Sequence, residues 1–62
     1  MKTDYIELKA GDVRQEGDEV TQNPGFTSNC GNGKEGEWVP TQMVGFPILP
    51  IDLHANSFRR PA

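Results

Sequence analysis

The sequence predicts an all-β fold, a small barrel or meander sheet of about five short strands with little or no helix. Three observations carry that expectation. Short β-branched and aromatic runs alternate with Gly, Asp and Pro along most of the 62 residues. Gly11-Asp12 and Gly17-Asp18 stand six residues apart, the spacing of tight turns between very short strands. The amino-terminal third shows no apolar stripe at the 3.6-residue period of an amphipathic helix.

Taken in order, Tyr5-Ile6-Glu7-Leu8 reads as a first strand, and Lys9-Ala10-Gly11-Asp12 as its turn. Gly accepts positive φ there, and the Asp side chain can bond nearby backbone. Val13-Arg14-Gln15 resumes in extended form, Glu16-Gly17-Asp18 turns again, and Glu19-Val20-Thr21 is a third strand. Residues 22–36 are nearly all small polar residues and chain breakers, so they read as a long glycine-rich loop anchored by Phe26. Glu37-Trp38-Val39-Pro40-Thr41 is the next strand, with Pro40 limiting pairing on one side and residues 42–44 extending it toward Gly45. Phe46-Pro47-Ile48-Leu49-Pro50-Ile51 is apolar but carries two prolines, which fits an extended edge segment better than a helix or central strand. Asp52 to Ser57 reads as a polar connection, and Phe58-Arg59-Arg60 as a final strand stopped by Pro61.

Size sets the next constraint. The whole chain, 1–62, makes one small β domain with a marginal core, because so short a chain buries only about 60% of its unfolded surface. The usual reinforcements are disulfides, a metal or association. One cysteine, Cys30, rules out an internal disulfide, and one histidine, His54, with it cannot complete a four-ligand zinc site. Association remains, and a homo-oligomer is expected. The apolar content is only 34% with mean hydropathy −0.65, yet five aromatic residues argue for a folded chain.

The net charge is −3, unevenly spread. Residues 1–37 hold eight acids against four bases, whereas residues 38–62 hold Asp52 against Arg59 and Arg60. An acidic surface disfavours duplex nucleic acid. No run approaches the roughly 20 apolar residues of a membrane span, and no apolar signal region follows Met1-Lys2-Thr3-Asp4. With its single cysteine, the protein is expected to be cytoplasmic.

Several groups invite a chemical reading. Residues 31–36, Gly-Asn-Gly-Lys-Glu-Gly, match the letters of a dinucleotide fingerprint, but no helix follows to receive a pyrophosphate. The bland reading is a flexible loop; a weaker variant has Lys34 and glycine amides meeting a phosphate. Cys30 and His54 lack a locally placed partner, so catalysis is not expected, nor is a cofactor or metal. Asp18-Glu19 would point to opposite faces of a strand and serve turn formation and solubility. Trp38 suits core or interface burial, or a stacking surface for a planar ligand. Arg59 and Arg60 also face opposite ways; they suit phosphate clamping or, equally, intersubunit salt bridges to the acidic half.

The chain resembles a group of small phage-encoded proteins of unassigned role. The resemblance rests on Leu8-Lys9-Ala10-Gly11-Asp12, Gln15-Glu16-Gly17-Asp18-Glu19, Trp38-Val39-Pro40 and the aromatic-Arg-Arg-Pro of Phe58 to Pro61. It implies a role in the cytoplasm of an infected bacterium, with a host-defence inhibitor as one possibility. Such an inhibitor can act as a sponge, an oligomer that holds an immune nucleotide without cleaving it. The expectation drawn is a non-enzymatic phage protein that sequesters a small anionic, nucleotide-like ligand. Arg59 and Arg60 would clamp phosphate, Trp38 or Phe58 would stack, Lys34 would assist, and the 22–36 loop would close over the ligand. The alternatives are a protein-binding inhibitor of a host factor and a minor virion or decoration protein.

Overall fold

A computed structural model describes residues 4–26 and 34–62. Four strands and one short helix are formed: β1 (Tyr5–Glu7), β2 (Glu19–Gln22), β3 (Val39–Pro40), α1 (Pro50–Ala55) and β4 (Asn56–Pro61). They make one open antiparallel sheet in the order β1-β4-β2-β3. The all-β expectation therefore holds at the level of class, but the sheet is not closed into a barrel. Nor is it a meander, because the last strand lies between the first and the second.

The inner position of β4 follows from its composition. Asn56-Ser57-Phe58-Arg59 alternates buried and half-buried side chains. It can therefore be paired on both edges. Val20 pairs with Phe58 and with Val39, so these three share one face. That face carries the core, Leu8, Val20, Ile48 and Phe58, with Val39 and Leu53 packed against it. Ser57, Arg59 and Glu19 point to the opposite face by the two-residue period of strands.

The turns form as their residues dictate. Lys9 N–H donates to Asp12 Oδ2 at 2.8 Å and Asp12 N–H to the Lys9 carbonyl at 3.0 Å, with Gly11 at φ +96°. Six residues on, Gln15 and Asp18 repeat this pattern at 2.8 and 3.1 Å around Gly17. Lys34 to Glu37 makes a third version with Glu as the acid, at 3.4 and 2.9 Å.

Four segments depart from the sequence reading. Val13-Arg14-Gln15 does not join the sheet; residues 11–14 instead ladder with 45–48 through Gly11 N–H to Ile48 O, Ile48 N–H to Asp12 O and Arg14 N–H to Phe46 O. This two-stranded layer places Ile48 on the core. Residues 42–44 turn rather than extend β3, with Met43 at φ 57°. The apolar segment ends in α1 rather than continuing as an extended edge. Pro50 opens that helix at its first position, where the missing N–H has no helical partner to lose. Asp52 caps the turn by accepting from Leu49 N–H at 2.9 Å, so the supposed polar connection is helix and the start of β4.

Gln22, expected in the long loop, closes β2, and Glu35 bridges back to it. Phe26 packs edge-on against His54, ring centres 4.9 Å apart. Cys30 and residues 31–33 of the glycine-rich stretch lie outside the described residues. No helix among the described residues is long and apolar enough to cross a membrane.

Candidate binding site around Arg59

The antiparallel register of β2 and β4 sets Glu19 opposite Arg59, so two adjacent acids meet two adjacent arginines. Asp18 takes Arg60 and Glu19 takes Arg59. Both bridges lie within the chain.

Arg60 is held on the core side. Its Nε donates to Asp18 Oδ1 at 2.8 Å and its Nη2 to Asp18 Oδ2 at 3.0 Å, a bidentate fork. Nη2 also donates to the Val13 carbonyl at 3.0 Å. Asp18 is only 1% exposed, and its carboxylate also accepts from Gln15 N–H. The hydrogen bonds from Arg60 draw the Asp18 pKa below its ordinary 3.8 against the opposing effect of burial, and the Arg60 pKa rises correspondingly.

Arg59 is held differently, on the opposite face. Its Nε donates to Glu19 Oε1 at 2.6 Å. Its guanidinium lies over the Tyr5 ring at 3.7 Å from the centre and over the Trp38 ring at 4.1 Å. Two aromatic faces and one carboxylate thus fix the plane of the group, each contact favouring the cation. No hydrogen bond from its terminal nitrogens is found among the described residues. Tyr5, Glu7, Trp38, Ser57, Phe58 and Arg59 surround an open hollow of about 300 Å³ here. Glu7 stands opposite Arg59 on β1, so two carboxylates and one guanidinium share the neighbourhood.

Three of the five residues expected to bind a ligand, Trp38, Phe58 and Arg59, therefore come together. Phe58 contributes to the lining, but at 2% exposure its ring belongs to the core, so the aromatic faces at the hollow are those of Trp38 and Tyr5. Arg60 is on the other side of the sheet. Lys34 reaches the hollow's side only through its backbone, its carbonyl accepting from Thr21 Oγ1 at 3.1 Å beside Ser57. Sequence reasoning missed Tyr5, Glu7 and Ser57. The period of two placed Tyr5 with Glu7 and Ser57 with Arg59, but only the β1-β4 register joins the pairs.

A second hollow, of about 250 Å³, lies on the core side of the sheet, where Arg14 and Asp52 meet at 2.6 Å beneath Met43, Phe46, Pro47 and Leu49. Arg14 is 4% exposed, sits 5.3 Å from the centre of the Phe58 ring, and keeps one buried N–H, Nε, without an acceptor among the described residues. Among the described residues no three His, Cys, Asp or Glu side chains gather as a metal site would require. No protein-family model, curated protein or solved structure matches the chain.

Proposed function

We propose that the protein is a non-enzymatic binding module that takes a small anionic, nucleotide-like ligand at the Arg59 hollow. One observation carries the reading: a guanidinium packed over two aromatic rings, with its terminal nitrogens unbonded among the described residues, at the wall of a ligand-sized hollow. Such a group is already oriented as a two-pronged donor, so a phosphate or carboxylate would not have to order it on binding. The outer faces of Trp38 and Tyr5 then offer stacking to a base. Arg60 drops out of the clamp, since Asp18 and the Val13 carbonyl already occupy it. The resemblance to small phage-encoded proteins makes a nucleotide-derived immune signal the first ligand to try, and sequestration without cleavage the mode of action.

The test is a thermal-shift screen against linear and cyclic nucleotides and ADP-ribose derivatives. A ligand at a hundredfold excess over its Kd stabilises the fold by about 2.7 kcal/mol. That corresponds to a rise in Tm of roughly 10 °C or more for a domain of this size. The shift should vanish in Arg59→Ala, and the ligand should be recovered unchanged after denaturation. A flat response across the panel from folded protein overturns the reading and favours a protein partner.

A further inference from the structure

Among the described residues, four large apolar side chains are buried in the core and eight are exposed. Five of the eight, Met43, Val44, Phe46, Leu49 and Ile51, fall within nine consecutive residues. Met43, Phe46 and Leu49 line the hollow above Arg14 and Asp52, and Val44 and Ile51 stand beside them in the chain, so the five make a ridge along the loop and the start of α1. Phe46 is 58% exposed and Ile51 72%, the highest of the group. A surface of this kind on so small a chain is an interaction surface.

We propose that this ridge is covered by the same ridge of a second copy, giving a two-fold dimer in which Ile51 of each copy seats in the hollow of the other. Charge selects that occupant. Residues 42–51 contain no charged side chain, while the whole chain carries −3. Two copies repel through their acidic surfaces and can meet closely only where the acids are missing. The one ion pair below the ridge, Arg14 with Asp52, cancels within each copy. A basic partner would instead find its complement on the acidic turns. Shape agrees, because a two-fold interface needs a knob and a hole on one patch, and the ridge has both. Burying the ridge adds the apolar burial that a four-residue core lacks. The ridge lies on the core side of the sheet and the Arg59 hollow on the other, so the dimer would present two outward hollows and stands independently of the ligand reading.

Sedimentation equilibrium of the full chain across the micromolar range tests the proposal. The wild type should show twice the 6.9 kDa chain mass. Phe46→Asp and Ile51→Asp should each weaken association at least about tenfold, as loss of a central interface anchor does. Ile51 lies in the first turn of α1, where an Asp is compatible with the helix, so this variant keeps the monomer fold. Glu16→Gln, on an exposed turn outside residues 42–51, should leave the mass unchanged. If a variant unfolds on losing its partner, peroxide oxidation of Met43 in the wild type gives a second readout. It should slow as protein concentration rises. A single-chain mass throughout, a dimer that survives both substitutions, or a Met43 oxidation rate independent of concentration would each overturn the proposal.

Discussion

Arg59 and Arg60 are neighbours in the chain, alike in chemistry and each paired with an acid, yet the sheet gives them different work. Arg60 donates three hydrogen bonds, two of them to a carboxylate with almost no access to water. Arg59 donates one, to a partly exposed Glu19, and is otherwise held by ring faces that leave its far edge unbonded among the described residues. The difference arises from what faces each row of the sheet. On the core side, the Gly17-Asp18 turn brings a carboxylate under β4. On the open side, Tyr5 and Trp38 flank the arginine from β1 and from the residue preceding β3. An arginine forked onto a buried carboxylate of its own chain is structural, and one held by ring faces is available.

Arg60→Ala should sharpen that comparison most. It leaves the buried Asp18 carboxylate without its counter-charge, and removing one partner of a buried pair is among the costliest substitutions. Urea unfolding followed by circular dichroism should show a chain largely unfolded at physiological temperature. Arg60→Lys should recover only part of the loss, because an ammonium lacks the planar fork.

The pH dependence comes next in size. The Asp18 pKa is lower in the folded chain than in the unfolded one, so its contribution to stability is fully present above the ordinary carboxylate range. It is lost as pH falls from about 4 through the depressed folded value. Asp18→Asn keeps the shape of the turn but should remove this part of the acid sensitivity in a pH series of urea melts.

Arg59→Ala should act in the opposite sense. Its ion pair and ring contacts are partly exposed and together contribute about 1 kcal/mol. The fold should survive with a small fall in Tm, while titration calorimetry shows ligand binding abolished. The smallest effect is expected from Glu7→Gln. Removing an exposed like charge beside the ligand's anionic group should tighten binding by up to about fivefold. Weaker binding instead would mean that Glu7 contacts the ligand directly.

Much of the local structure was legible because local chemistry dictates it. The two Gly-Asp turns follow from a residue free to take positive φ beside an acid that can reach back to an N–H. The strands at Tyr5, Glu19, Val39 and Phe58 follow from apolar and aromatic residues between breakers. The helix was missed because six residues are too few to show a period, and because Pro50 reads as a breaker unless the helix begins there. Sheet order was missed because pairing between residues 34 to 56 positions apart leaves no local trace. The candidate site shared that fate. Trp38 and Arg59 stood out by type, whereas Tyr5 becomes relevant only once β1 is known to lie beside β4. Burial of Arg14 had no sequence signal either, since its partner Asp52 lies 38 residues away.

The position of β4 also has a consequence for how the molecule is made. Every earlier element leaves the ribosome before the strand that joins them. Until residues 56–61 emerge, β1 and the β2–β3 pair have no common neighbour, and Asp18 and Glu19 have no arginines. The complete sheet therefore waits for its last strand, which alone joins the two halves. During that interval the Met43–Ile51 stretch is exposed to chaperones and proteases, and a chain interrupted before β4 would offer them an easy substrate.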